Sequence, residues 1–267
     1  GRHDTRSLKV ALADDGTFAI AFSLQPEAGE HTLQLARFDA ATGSLTVAPV
    51  DAETAESPHS ALVVDGIALT EDGAAVILWH GRRGVHSWIA VDAVDPDGFT
   101  RRWNLAECAH SDRPATCDDA ALGRWGAELL AVWSESQVAS ESSIVAQRLT
   151  GSGEPLGAPW TVVDGTGDER LRSDLDVGRA ATGSPFVVWS ERRDATTPAS
   201  AAVGRPIGPD WHDGSLLLVA AGPGARAPRV AGQSPDGAVV VWLDGEGAGT
   251  DLAARLVRPV EPVDSAT

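Results

Sequence analysis

Short apolar runs rich in Val, Ala, Leu and Ile recur along the whole chain, each bounded by polar turns that carry glycine or an Asp-Gly pair. Runs of this length, β-branched and framed by turn residues, predict strands and leave no room for long amphipathic helices. The runs also repeat. An apolar strand, a turn, a second apolar strand ending in an aromatic residue and a polar loop occur five times. The aromatic positions Phe22, Trp79, Trp133, Trp189 and Trp242 are separated by 57, 54, 56 and 53 residues. The preceding turns keep the same beat: Asp15-Gly16, Asp72-Gly73, Trp125-Gly126, Thr182-Gly183 and Asp236-Gly237. Glycine is their constant member, as a hairpin turn with a positive φ requires.

Each unit divides into four strands. In the second unit these are expected at 61–69, 74–80, 87–94 and 100–105, and in the third at 118–122, 127–134, 143–149 and 159–163. Four antiparallel strands repeated every fifty-odd residues predict an all-β fold, a β-propeller of about five blades, in which radial stacking protects the sheet edges. The blades are expected at about 7–53, 60–107, 115–165, 172–222 and 227–267, within one domain. The last unit has strands at 228–232, 238–243 and 251–257, followed by a tail with Pro259 and Pro262 that is a poor fourth strand. The final blade is therefore expected to stay open or to take a strand from outside the chain.

The motif Pro235-Asp236-Gly237-Ala238-Val239-Val240-Val241-Trp242, with later strands such as Ile144-Val145-Ala146-Gln147-Arg148-Leu149, resembles the repeat of secreted bacterial β-propeller proteins. The layout is similar to sialidase-like and lectin propellers, but the Asp-box pattern Ser-x-Asp-x-Gly-x-x-Trp is absent. The resemblance implies fold and carries over no catalytic residue.

Composition narrows the partners. A formal net charge of −17 opposes nucleic acid and anionic lipid. No run approaches the ~18 apolar residues of a membrane-spanning helix. Lysine and asparagine occur once each, as Lys9 and Asn104, so the acidity also fits a solvation role in a salty habitat. The chain opens Gly1-Arg2-His3-Asp4 without an initiator Met, which reads as a mature or excised piece. Cys108 and Cys117, the only cysteines, enclose a short polar stretch and are expected to form a disulfide. That implies an oxidising location, whether secreted, periplasmic or at the cell surface.

Alternating strand direction puts the tight turns on one face of the propeller, and the longer loops and blade crossings on the other. Function is expected on the long-loop face. Four arginines stand there at equivalent positions, Arg82 and Arg83 after Trp79, and Arg192 and Arg193 after Trp189. They suit a carboxylate ligand or internal ion pairs with Glu135, Glu191 or Asp194. Trp79, Trp133, Trp189 and Trp242 suit packing between blades or, in a lectin, stacking against sugar. Asp174 and Asp176 alternate on a candidate inner strand and are expected to point into the channel. Asp244, Glu246 and Asp251 lie in a Gly-rich loop without EF-hand spacing.

No nucleophile elbow, phosphate loop or zinc motif is present, and no cofactor or metal is expected. The preferred expectation is a non-catalytic binding or protein-interaction module, with a protein or carbohydrate partner. The alternatives are a lectin and a glycan-processing hydrolase with axial carboxylates. Acidic residues clustered around an axial pocket, one of them with a raised pKa, would favour the hydrolase.

Overall fold

A computed structural model describes residues 3–26, 31–50, 61–83, 85–108, 116–138, 141–167, 170–179, 185–192, 201–206, 217–221, 224–234, 237–245 and 250–257. The described chain is all β, a propeller of about five antiparallel blades. Blade one comprises β1 (His3–Leu12), β2 (Phe18–Pro26), β3 (Thr32–Asp39) and β4 (Ser44–Val50). Blade two follows with β5 (Ala61–Leu69), β6 (Ala75–Arg83), β7 (His86–Val94) and β8 (Thr100–Cys108). Blade three has β9 (Thr116–Trp125), β10 (Glu128–Val138), β11 (Glu141–Leu149) and β12 (Pro155–Val163). Blade four has β13 (Leu171–Arg179), β14 (Pro185–Arg192), β15 (Ala201–Pro206) and β16 (Leu217–Ala221). Blade five has three described strands, β17 (Arg226–Ser234), β18 (Gly237–Asp244) and β19 (Asp251–Val257), and the proline-bearing tail lies outside the described residues.

Each blade meanders in chain order, with the first strand innermost, and the inner strands pack side by side: β1 on β5, β5 on β9, β9 on β13 and β13 on β17. The tight turns among the described residues form as the sequence requires, while Thr182-Gly183 and Asp236 lie outside them. In blade two the Gly73 N–H donates to the Thr70 carbonyl at 3.1 Å with φ +82°, and the Gly98 turn matches it with a 2.9 Å bond to Asp95. β12 begins at Pro155, four residues before the expected start at Pro159, because a bulge between Ala146 and Arg148 lets the proline-bearing outer strand keep its ladder.

Four buried apolar clusters join consecutive blades, and each holds one tryptophan of the aromatic row. Trp79 packs with Ala19 and Ala21 of the preceding blade, Trp133 with Val76 and Leu78, Trp189 with Leu130 and Val132, and Trp242 with Phe186 and Val188. Glycine lets the inner strands approach: a Cβ on Gly123 would lie 2.3 Å from Val177, and one on Gly178 2.1 Å from Val230. Serine hydroxyls stitch the blades together, Ser87 Oγ accepting from Cys117 N at 2.7 Å and Ser142 Oγ from Arg172 N at 2.6 Å. The Cys108–Cys117 disulfide ties the outer edge of blade two to the inner strand of blade three, in keeping with an oxidising compartment. Among the described residues no helix is long and apolar enough to cross a membrane.

Candidate active site

Every inner strand carries a bulge close to the residue that faces the aromatic row. In β9 the extra residue is Asp119, between Asp118 opposite Ser134 and Ala120 opposite Trp133. In β13 the bulge holds Asp174, and in β17 it holds Ala227. These three residues share an uncommon left-handed backbone, with φ of +43°, +57° and +50°. Aspartate tolerates this region better than most residues, and strained positions of this kind gather at functional sites. Ser134 Oγ donates to the Asp118 carbonyl at 3.0 Å and pins the bulge of β9. In β5 the bulged residue is Asp65, one step further along relative to its aromatic partner Trp79.

Three consecutive inner strands thus carry Asp65, Asp119 and Asp174, and their charges meet. Burial, joined by the carboxylates of Asp174 and Asp65, pushes the Asp119 carboxyl up to about 6. His80 opposes this from the side of Asp65. Its Nδ1 lies 2.7 Å from Asp65 Oδ2. Burial raises the Asp65 carboxyl against the pull of His80. For His80 burial acts downward, but the Asp65 charge and hydrogen bond outweigh it and the imidazole is raised. Asp174 Oδ2 is 3.4 Å from Ala227 N, and Asp176 Oδ2 accepts from Val230 N at 2.8 Å. Asp176 therefore ties β13 to β17, which corrects the expectation that it points freely into the channel.

A pocket of about 280 Å³ opens beside Asp119 between blades three and four. Asp118 and Asp119 line it from β9, Ser134 and Ser136 from β10, Ser142 from β11, Arg172 and Ser173 from β13, and Arg192 from β14. These residues lie at the starts of β9, β11 and β13 and the ends of β10 and β14, which is the long-loop face. The lining of hydroxyls, carboxylates and guanidinium groups matches the donors and acceptors of a polyhydroxylated ligand. Arg172 is fixed: its N–H groups reach the Ser142 carbonyl and, at 3.2 Å, Glu191 Oε1. Glu191 also accepts from Arg170 Nη1 at 2.6 Å and from the Trp189 indole at 3.2 Å. In blade three the Trp133 indole likewise donates to Glu135 at 2.8 Å.

Of the arginines singled out in the sequence, Arg192 lines this pocket, and its Nε is buried without a hydrogen-bond partner among the described residues. Arg82 and Arg83 are exposed at the end of β6, paired in register with Ser87 and His86, and do not line it. Arg193 and Asp194 lie outside the described residues. The ion pairs to Glu191 come from Arg170 and Arg172 at the start of β13, the strand that pairs with β14. Trp79, Trp133, Trp189 and Trp242 are buried between blades, which fits the packing expected of them, and their faces are not open for stacking against sugar. Asp244 and Asp251 are register partners across β18 and β19, and Glu246 lies outside the described residues.

Asp65 and Asp119 escaped the sequence reading, although a signal was present. Asp65, Asp119 and Asp174 are 54 and 55 residues apart, in time with the tryptophans. In an acidic chain that spacing stood out only once the bulges were seen.

No protein-family model matches the chain, and no curated protein matches it. Solved structures do. An α-L-arabinanase of Penicillium chrysogenum, solved with arabinobiose, matches with a TM-score of 0.66 at 12% identity over 93% of this chain and 77% of that one. An α-L-arabinofuranosidase of Fusarium graminearum, solved with an iminosugar inhibitor, matches at 0.65 and 11% identity over 89% of this chain and 74% of that one. The catalytic domain of a GH62 α-L-arabinofuranosidase from Coprinopsis cinerea matches at 0.53 and 11% identity over 94% of this chain and 89% of that one. At such identity the likeness is one of fold. The three neighbours named are, by their own descriptions, arabinose-cleaving enzymes, and with the carboxylates grouped on the inner strands they overturn the expectation of a non-catalytic binding module and of a non-enzyme.

Proposed function

We propose that the chain is a glycoside hydrolase acting on carbohydrate at the pocket between blades three and four. One observation carries this reading: Asp119, at a strained bulge beside Asp174 and Asp65, keeps a carboxyl that titrates at about 6 at the edge of a polar pocket. Cleaving a glycosidic bond needs one carboxyl that still holds a proton and a second that is ionised across the bond. Asp119 is the proton donor to the leaving oxygen, and Asp174 or Asp118 supplies the second carboxylate. Ser134, Ser136 and Arg192 orient the sugar hydroxyls. The pocket is at the lower end of the ~300–1,000 Å³ typical of small-molecule sites, which suits one or two sugar units entering from the open face.

The reading places residues 1–267 within a single propeller domain, secreted or held at the cell surface, where the disulfide persists and polysaccharide is met. Arabino-oligosaccharides head the panel of substrates, because arabinose-cleaving enzymes share the fold. The test is release of reducing sugar from that panel by the wild-type chain and by Asp119→Asn and Asp174→Asn. Loss of turnover of ~10²-fold or more in the Asp119 variant is expected. Undiminished turnover in that variant, or no cleavage of any glycan by the wild type, would end the proposal.

A further inference from the structure

The four seams between blades are built alike, and the two terminal blades each present half of a fifth. In β5 and β9 the residues opposite the aromatic row, Val64 and Ala120, are 1% and 6% exposed. Their counterpart in β1, Leu8 opposite Phe22, is 54% exposed, and Val10 and Leu12 on the same face are 56% and 74% exposed. That face continues across blade one through Ile20 and Phe22 to Val47, which is also exposed. Phe22 is only half-buried, although its four counterparts are buried tryptophans.

Blade five shows the complementary half. Phe186 and Val188, three and one residues before Trp189, are buried against blade five. The equivalent Val239 and Val241, before Trp242, are only half-buried. Their sheet neighbours Leu243, Leu252 and Leu256 are exposed on that face. Among the described residues no buried cluster joins blade five to blade one, and β17 and β1 do not pack as the other inner strands do. Two apolar faces of seam type stand apart, each matching the half that the other blades bury.

We infer that the ring closes on one further blade of this repeat, carried by the same polypeptide and inserted between blades five and one. Such a blade must be bare on both faces, since blade five covers one and blade one the other. A second copy of this arc cannot fill the seam, because each of its terminal blades already has one face covered by its own neighbour. The described chain meets the seam at β1 on one side and at β19 on the other, so a continuous chain reaches it without crossing a neighbouring blade. This inference is independent of the hydrolase reading.

The test places cysteines at Val10 and Val241, the pair equivalent to Val177 with Val132 and Val230 with Val188, which share buried clusters across the existing seams. In the 267-residue chain Val10→Cys/Val241→Cys is expected to stay monomeric by sedimentation, to form no disulfide between the new cysteines, and to label with a maleimide at both. In the full-length natural polypeptide with the same substitutions, both thiols are expected to be protected. A disulfide between the two cysteines within one chain means that five blades close directly and overturns the inference. So does a dimer of the 267-residue chain that protects them, or full labelling in the natural polypeptide.

Discussion

Asp119 and Asp174 hold the same place in successive blades: each is a left-handed bulged residue on an inner strand, and the Asp174 charge helps to raise the Asp119 pKa to about 6. The repeat that builds the fold also builds this pair. A bulge that recurs at each inner strand turns one side chain per blade toward its neighbours, and burial together with the neighbouring like charges lets Asp119 keep its proton to higher pH. In blade five Ala227 keeps the backbone and lacks the carboxyl, so the ring of acids is confined to blades two to four.

The raised Asp119 carboxyl links pH to stability. Its folded pKa lies above the ordinary 3.8, so the native state holds the proton more tightly than the unfolded chain does. The group therefore supports folding at low pH, and this support is lost as pH rises from about 4 to about 6. Asp119→Asn is expected to stabilise the protein by up to about 3 kcal/mol above pH 7 and to change little near pH 4. Thermal melts of both proteins at the two pH values measure this; an equal shift at both would place the effect outside the titration.

Activity should follow the same group. A proton donor that titrates near 6 gives turnover that falls as pH climbs beyond that value, and Asp174→Asn removes a neighbouring negative charge and so lowers the pKa of Asp119. A rate–pH profile of the wild type on a cleaved arabino-oligosaccharide tests the first, and the carboxyl titration of Asp119 followed by NMR in Asp174→Asn tests the second.

The buried indoles are structural. Trp133→Ala and Trp189→Ala are each expected to cost about 3–5 kcal/mol in urea unfolding, since each leaves a large cavity between blades. If either variant melts like the wild type, the seam packing described above is wrong.

Close approach of the inner strands makes small additions costly. Gly178→Ala would put a methyl 2.1 Å from Val230 Cγ1 and 2.3 Å from its Cβ, and is expected to destabilise by about 1–3 kcal/mol through separation of blades four and five. Gly43→Ala, where nothing lies within 4 Å of the added methyl, probes the other cost, backbone strain at a positive φ. Urea midpoints for the two variants separate crowding from strain.

Reduction of the Cys108–Cys117 bond should lower stability by about 2–3 kcal/mol, as expected for a short closed loop. Intact mass after alkylation without reductant should show no modified cysteine.

By itself the sequence determined the repeat, the strand alternation, the glycine turns and the disulfide. These are local or periodic properties, fixed by which residues tolerate a turn or bury one face of a strand, and a period of about 55 residues displays them five times over. The site was a matter of tertiary structure. Asp65, Asp119 and Asp174 lie more than fifty residues apart, and only the stacking of inner strands brings their charges together. Only the bulges decide that Asp119 stands at the pocket while Asp176, on the same kind of strand, ties β13 to the backbone of β17. A bulge inserts one residue and reverses which face the next side chains take, so an alternating pattern cannot reveal it. The fate of the tryptophans was decided in the same way: the sequence fixes their spacing, but whether an indole meets a sugar or the next blade depends on which face of the sheet has a neighbour.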